Sequence, residues 1–392
     1  MNKVYIVGVG QIPVLESWDK SLKELAGDAA LLALENAQPA LHTTQSSQMA
    51  YPDMLVVGNL LAGVSNKQLQ LGTLLADWLG FHNKPAVLIE SGDASGAQAF
   101  RVAAQAIASG EVDTALVIGA EKMTDVPSSE LDATQAAVLD LDLESDLGTT
   151  LTSQNAMLMR RYMHEFNWSL EDFAAFTTIP YENAVNNPFA RFQRAISKET
   201  YLKAAMLSEP INAFDAAASV DGAAAIVLSN RPIAGQKNVL MIASSSASDK
   251  LSLENRVKSL RLSAAEHSSK QVYAQTGLIP DDISLFEYHD ACSILAALSL
   301  EASGFAERGQ APKLADAGKL NLNGSIPVAS MGGLKARGNP IGATGIYQVI
   351  EAYHQLLGLS GKNQIENARF AMTQNISGTG SSVTTHIFSR EQ

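Results

Sequence analysis

Two tight turns in the sequence place a polar side chain directly before a segment of helical composition. The first turn, E-S-G-D-A-S-G, carries Asp93, and the second, A-R-G-N-P-I-G, carries Asn339. A helix start presents unpaired backbone N–H groups and a partial positive potential, which suit an anion or a developing oxyanion. An aspartate there either caps the helix, for about 1 kcal/mol, or acts as a general base if burial raises its pKa. The sequence leaves both roles open.

Three side chains besides Asp93 could take part in chemistry. His289 ends the apolar run S-L-F-E-Y-H-D, where a histidine is either a satisfied buried group or a functional one. Asn339 can donate a hydrogen bond but takes no proton at neutral pH. Cys292 is the single cysteine, so it forms no internal disulfide and no thiolate metal cluster. We interpret Cys292 as a small core residue, and we expect neither a metal nor a cofactor.

The elements that position these residues form two similar series. Apolar, β-branched runs alternate with alanine-rich helical stretches, which is typical of βαβ units and predicts a mostly parallel sheet covered by helices. Residues 90–107 and 336–355 resemble each other most closely, because each series places small residues in a turn before a helix. We infer an internal duplication, with an N-terminal domain at 1–235 and a C-terminal domain at 236–392.

The N-terminal series contains an insertion at about 125–210 that is rich in aromatic and methionine side chains. Side chains of this kind usually form the packed interior of a helical cap. A cap of this kind can also cover a substrate tunnel. We expect packing to be its main role.

Composition excludes several classes of protein. The chain has 392 residues, 46% of them hydrophobic and 17% charged, which is typical of a large, well-buried α/β protein. Its net charge is −12, which disfavours nucleic acid and anionic membranes as partners. The apolar runs have the length of strands, and the first residues already have strand character. We therefore expect a soluble cytoplasmic protein.

Six motifs occur in an order that resembles one known family. They are E-S-G-D-A-S-G-A-Q-A-F (90–100), G-A-E-K-M (119–123), D-G-A-A-A (221–225), H-D-A (289–291), G-G-L-K-A-R-G-N-P-I-G-A-T-G (332–345) and Q-N-I-S-G-T-G (374–380). Together they resemble the thiolase superfamily, in particular the archaeal and sterol-carrier-protein type. The resemblance covers essentially the whole chain. It implies an α/β thiolase fold of two duplicated βαβαβαββ domains in five layers, α-β-α-β-α, with a helical cap insertion.

The resemblance also assigns roles to single residues. Asp93 stands where catalytic thiolases have the cysteine that accepts the acyl group, and Asn339 stands where they have the histidine of G-H-P. His289 matches a histidine of the family's oxyanion hole. Gly378 and Gly380 match a loop whose backbone N–H groups are expected to form a second oxyanion hole. Losing nucleophile and base together argues against ordinary acyl-cysteine chemistry.

The ligand-binding part of the resemblance is weaker. Ile179, Pro180 and Tyr181 replace the family's Lys-x-His segment in the cap, so a polar contact to an acyl-CoA is lost or replaced. Arg191 and Arg194 are candidates for phosphate contacts, and a solvated surface is the alternative. Tyr181 is a candidate for contact with the substrate.

Two functional hypotheses follow. The first is a thiolase-like enzyme that binds a CoA or carrier-protein thioester and makes or breaks a C–C bond, by aldol, retro-aldol or Claisen chemistry, without an acyl-cysteine. The second is a non-catalytic subunit that pairs with an active homologue or with an OB-fold partner protein. An ordinary acetyl-CoA acetyltransferase is a third, less favoured hypothesis. The resemblance also implies a homodimer or higher oligomer, formed through the edge strand within 86–92.

Overall fold

The computed structural model describes residues 2–41 and 51–391 of the chain. The strands are β1 Tyr5–Gln11, β2 Met54–Gly58, β3 Ala86–Ile89, β4 Thr114–Glu121, β5 Met206–Ser208, β6 Ile211–Asn212, β7 Gly222–Ser229, β8 Val239–Ser248, β9 Leu285–Glu287, β10 Phe370–Ser377 and β11 Ser382–Arg390. The helices are α1 Leu22–Asn36, α2 Gln38–Leu41, α3 Ala62–Ser65, α4 Leu71–Trp78, α5 Ser95–Ser109, α6 Ser128–Gln135, α7 Leu151–Phe166, α8 Ala175–Ala184, α9 Lys198–Leu202, α10 Ser263–Thr276, α11 Ser293–Ala302, α12 Ala311–Asp316 and α13 Ile341–Leu357.

Nine of the described strands form one sheet in the order β3-β2-β4-β7-β1-β8-β11-β10-β9. Its two halves join through β1 and β8, where Tyr5 is opposite Leu240 and Ile6 is opposite Val239. Beyond β9, Val328 makes a parallel bridge to Phe286 and takes the place that β3 has in the first half. The same strand order therefore occurs twice, as the predicted duplication requires.

The prediction of a mostly parallel sheet is wrong. The pairs of β2 with β3 and β4, and of β9 with β10, are parallel. The last strand of each half runs antiparallel to both neighbours, β7 to β4 and β1, and β11 to β10 and β8. Alternating helical and apolar segments predict the crossovers, but they carry no information about the direction of a returning strand.

Side chains that alternate along each strand separate the layers. In β2, Leu55 and Val57 pack towards α1 and α4, whereas Val56 packs towards α5 and α13. In β10, Ala371 joins the same central cluster and Met372 packs towards α10 and α11. The order is thus helices, sheet half, central helices, sheet half and helices. This confirms the predicted five-layer thiolase fold.

The insertion at about 125–210 contains α6 to α9 and is mainly a packed cap. Met159, Tyr162, Phe173 and Phe176 are buried in the core of the second half. Of the described helices, none has the length and apolar character needed to cross a membrane.

The central helices α5 and α13 contact each other through glycines near their N-termini. A Cβ on Gly96 would lie 2.6 Å from the carbonyl oxygen of Gly342, and one on Gly345 would lie 2.4 Å from the backbone nitrogen of Ala97. Neither position has room for a side chain. The turns that precede the two helices, with Asp93 and Asn339, are thereby brought together.

Replacing Gly345 with alanine is expected to lower the free energy of unfolding by about 1 to 3 kcal/mol, because the new methyl group overlaps the backbone of α5. Gly27→Ala in α1 is the matched control. Its Cβ would meet the end of the half-exposed Trp78 side chain, 2.8 Å away, which can move aside. Urea denaturation of both variants measures the difference. An equal effect of the two substitutions would contradict the contact.

Candidate active site

Both halves of the chain contribute to one cavity of about 80 Å³. Its wall includes four of the residues expected from the sequence to form the site: Asp93, His289, Asn339 and Gly378. The remaining lining residues come from the cap, from β6 and the segment before β7, from the start of α11 and the residues before it, and from the first residue of α13: Gln135, Leu151, Thr152, Asn155, Ile211, Ala216, Ala217, Ala218, Ser219, Ala291, Cys292, Leu295 and Ile341.

Asp93 is buried, with 5% of its surface exposed. The helix-capping position of α5 is held by Ala94, and no side chain caps this helix. Asp93 therefore does not cap α5, which was one of the two roles that the sequence left open. Its Oδ2 instead accepts the backbone N–H of Gly378, at 2.9 Å, from the other half of the chain.

The pKa of Asp93 is raised to about 6. Burial is the main cause, and nearby Glu90 raises the pKa further, whereas the N–H groups of Gly378 and of Asp93 itself lower it. Burial therefore outweighs the backbone donors, which was the condition for a general base. A carboxyl group of this pKa exchanges protons close to neutral pH.

The two glycines of the S-G-T-G loop do not act as expected. The N–H of Gly378 is already donated to Asp93, and the N–H of Gly380 is donated to the carbonyl oxygen of Ser377 at 2.9 Å. Gly378 lines the cavity and Gly380 does not. The loop thus positions the carboxylate and offers no free backbone donor at these two residues.

Hydrogen bonds fix the tautomer of buried His289. Gln348 donates its amide to the carbonyl oxygens of Glu287, Tyr288 and Gln374, so its Oε1 must accept. Asn375 Nδ2 lies 3.2 Å from that oxygen and 3.1 Å from His289 Nδ1, and it donates to both. Nδ1 is therefore an acceptor, and the proton of His289 is on Nε2.

His289 is uncharged in the folded protein. Burial lowers its pKa to about 3, and the positive charge of Arg337 contributes to the shift. Among the described residues none accepts from Nε2. The ring therefore presents a neutral N–H donor to the cavity.

Asn339 is a second side-chain donor in the wall. Its Oδ1 accepts the hydroxyl of Thr344 at 2.6 Å, and its backbone N–H donates to Ala218 at 3.3 Å. Oδ1 is therefore occupied as an acceptor, and Nδ2 is the donor of this amide. In the part of the chain that the structure describes, Nδ2 has no acceptor.

The residues after His289 have different roles. Asp290 accepts the N–H of Leu334 at 2.7 Å, so it holds the turn that leads to Asn339. Cys292 is buried as expected, but it lies in the cavity wall next to Ala291. Burial raises the pKa of its thiol to about 12, with a contribution from Asp215. Cys292 is therefore a neutral thiol.

The residues expected to bind substrate lie outside the cavity wall. Tyr181 is buried against Phe192, with stacked rings 5.8 Å apart, and its proposed substrate contact is wrong because apolar packing encloses it. Arg191 donates to Glu16 at 3.0 Å. Arg194 is exposed. Both arginines therefore lie on the solvated surface, which was the alternative to phosphate contacts.

Several wall residues were not predicted from the sequence. Gln135 of α6 donates to Ser219 at 2.8 Å and joins the cap to the segment before β7. Leu151, Thr152 and Asn155 come from the first turns of α7. The cap therefore contributes side chains to the cavity wall, and its covering of a substrate tunnel stays a prediction. Among the described residues no cluster of three or more His, Cys, Asp or Glu side chains could hold a metal ion.

Comparison with family models assigns both halves of the chain. Residues 4–232 match the model "Thiolase, N-terminal domain", and residues 245–390 match "Thiolase C-terminal domain-like". The chain belongs to the thiolase family. This confirms the resemblance seen in the motifs.

Known proteins agree with the assignment. An acetyl-CoA acetyltransferase of Methanothermobacter thermautotrophicus is 37% identical over 395 residues, which is 100% of both chains. Sterol carrier protein 2 of Bos taurus is 27% identical over 99% of this thiolase-family chain and 72% of its own. A solved structure described as "Ltp2-ChsH2(DUF35) aldolase" has a TM-score of 0.83 at 24% identity, over 99% of this chain and 97% of that one. That Asp93 and Asn339 replace a catalytic cysteine and histidine stays a prediction.

Asp93→Asn is expected to stabilise the protein at pH 8 and to change little at pH 4. The pKa of Asp93 is about 6 in the fold against an ordinary 3.8, so its ionisation costs stability as the pH rises through this window. About two pKa units correspond to roughly 3 kcal/mol at most. Urea denaturation at both pH values tests this, with exposed Asp19→Asn as the control. A stabilisation by Asp93→Asn that does not depend on pH would contradict the assignment.

Asn375→Asp is expected to reverse the tautomer of His289. A carboxylate beside Nδ1 requires a proton there, which removes the N–H from the cavity side. The ¹⁵N chemical shifts of His289 distinguish the two tautomers. The wild type should show a protonated Nε2 and the variant a protonated Nδ1. A protonated Nδ1 in the wild type would contradict the hydrogen-bond assignment.

Proposed function

We propose that this protein binds an acyl thioester of CoA or of a carrier protein and makes or breaks a C–C bond by aldol or retro-aldol chemistry without an acyl-enzyme. One observation carries the proposal. The cavity combines a buried carboxyl group of pKa about 6 with two side-chain donors, and its only thiol is neutral.

The donors suit an enolate. When a C–C bond next to a thioester carbonyl breaks, the electron pair moves onto the carbonyl oxygen, and the charge needs hydrogen-bond donors. His289 Nε2 and Asn339 Nδ2 are such donors. The neutral imidazole of His289 donates through its Nε2–H and keeps that proton while the enolate forms.

The carboxylate suits the proton transfer. In the cleavage direction, Asp93 takes the proton of a β-hydroxyl group, the C–O bond becomes a carbonyl, and the Cα–Cβ bond breaks. The electron pair forms the enolate, and the proton held by Asp93 then moves to Cα. An aldehyde or ketone and a shorter acyl thioester leave. The reverse sequence joins the same two fragments.

Acyl transfer through an enzyme-bound thioester is less favoured. Cys292 would have to lose a proton at a pKa of about 12, and Asn339 cannot accept one. Asp93 could form only a mixed anhydride, a poor acyl carrier. Aldol or retro-aldol chemistry needs only a base and a group that stabilises the oxyanion.

The comparisons support this proposal at two levels. Relatives with the name acetyl-CoA acetyltransferase point to CoA thioesters as the substrate class. A chain of the same fold in a structure described as an aldolase makes the fold compatible with aldol chemistry.

A second candidate function is that of a non-catalytic subunit. The neighbour described as "Ltp2-ChsH2(DUF35) aldolase" includes a second component, which favours a partner such as the OB-fold protein considered from the sequence. A partner could also complete an active site. If the isolated chain binds no thioester and Asp93→Asn leaves the activity of the assembled complex unchanged, the non-catalytic subunit function is correct.

We also retain the homodimer as a proposal. Strand β3 lies at the end of the sheet, and its residues Ala86 to Ile89 are partly exposed. An open edge strand of this kind pairs readily with another strand.

Calorimetric titration with acetyl-CoA and with a longer acyl-CoA tests the proposed site. The wild type should bind micromolar thioester, and Asn339→Trp should abolish binding by filling the cavity. Glu111→Trp is the matched control, because Glu111 is exposed beyond the other end of α5. Binding that survives Asn339→Trp would place the thioester elsewhere. Absence of binding to the wild type would favour the subunit function.

A further inference from the structure

The turn between β10 and β11, residues 377–382, carries the backbone group that holds Asp93. Gly378 has a positive φ of 53° and Gly380 one of 110°. Inside the turn, the N–H groups of Gly380 and Ser381 both donate to the carbonyl of Ser377. A turn with two glycines in the left-handed region is flexible unless other groups fix it. The geometry of the Gly378 N–H therefore depends on contacts from outside the turn.

Arg256 supplies one of these contacts. Its Nη1 donates to the carbonyl oxygen of Thr379 at 2.6 Å, and its Nε donates to that of Lys250 at 3.0 Å. The residue is only 8% exposed. In the described part of the chain Arg256 has no salt bridge, although Asp249 and Glu144 are the acidic groups near it. The buried guanidinium of Arg256 therefore donates its hydrogen bonds to backbone carbonyl oxygens.

A second chain of hydrogen bonds connects the turn to the cap. Thr379 Oγ1 donates to Gln154 Oε1 at 3.3 Å, and Gln154 donates to Glu144 at 2.7 Å. The same oxygen of Glu144 accepts the N–H of Leu253 at 2.8 Å. Glu144, Gln154 and Thr379 are all buried. The cap, the segment 250–256 and the turn are therefore fastened to one another beside the cavity.

We propose that Arg256 is a positioning residue that holds Thr379, and through it the N–H of Gly378, against the Asp93 carboxylate. Arg256 does not line the cavity. Its effect on chemistry passes through one backbone hydrogen bond, which favours the ionised form of Asp93. Loss of Arg256 frees the turn and leaves Asp93 more easily protonated.

Of the other groups around Asp93, its own backbone N–H also lowers its pKa, but that N–H belongs to the Asp93 segment and does not depend on Arg256. Glu90, on the same segment, raises the pKa of Asp93, and His289 across the cavity is uncharged. Gly378 belongs to the opposite half of the chain and is the contact that Arg256 controls. The proton equilibrium of Asp93 exists whether or not the protein catalyses the proposed reaction.

Infrared spectroscopy can measure that equilibrium directly. The band of the protonated Asp93 carboxyl group is isolated by subtracting the spectrum of an Asp93→Asn protein and is followed from pH 4 to pH 9. The midpoint in the wild-type background should lie near 6. In Arg256→Met the midpoint should rise by about one pH unit, since a hydrogen bond to the charged form is weakened. Arg161 is an exposed arginine that lines the same surface groove as Arg256, and Arg161→Met should leave the midpoint unchanged.

Arg256→Lys separates geometry from charge. It keeps the positive charge, but its three donors radiate from one nitrogen and do not reproduce the spaced, planar donors of the guanidinium, so at least half of the shift should remain. Lysine restoring the wild-type midpoint would assign the effect to charge and overturn the proposal. So would an unchanged midpoint in Arg256→Met. Should Arg256→Met fail to fold, the lysine variant alone decides.

Discussion

The contact between the first turns of α5 and α13 is the constraint on which the site depends. Gly96 and Gly345 allow the two helices to meet backbone to backbone. Because each helix follows a turn with a polar side chain, this contact brings Asp93 and Asn339 into one cavity wall. Side chains at the two glycines would separate the helices and with them the two halves of the site. The five layers serve to hold these two helix starts in place.

Burial then determines the chemistry of the cavity. It raises the pKa of Asp93 to about 6 and lowers that of His289 to about 3, so the two groups are suited to opposite tasks. The carboxyl group exchanges a proton near neutral pH. The imidazole stays neutral and donates from a fixed nitrogen. A base beside neutral donors fits the enolate chemistry that we propose, and the cavity lacks the reactive thiolate that an acyl carrier requires.

Local sequence patterns are sufficient to predict those site residues that lie within short motifs. The turns around Asp93 and Asn339 and the strand end at His289 could be recognised because glycine and alanine mark them. The bond between Asp93 and Gly378 spans 285 positions, and no local pattern predicts it. The same holds for Asn375 and His289. The sequence does not distinguish packing from ligand contact for Tyr181, because an aromatic residue in the cap fits both roles equally well. The antiparallel strands β7 and β11 were missed because alternation does not encode strand direction.

The most direct test of the central claim is deuterium exchange at Cα of an acyl-CoA in heavy water, followed by NMR. An enolate stabilised by His289 and Asn339 and formed by Asp93 predicts protein-dependent exchange without release of free CoA. Exchange should disappear in Asp93→Asn and persist in Cys292→Ala. Exchange that survives Asp93→Asn, or CoA release that requires Cys292, would contradict a mechanism without an acyl-enzyme.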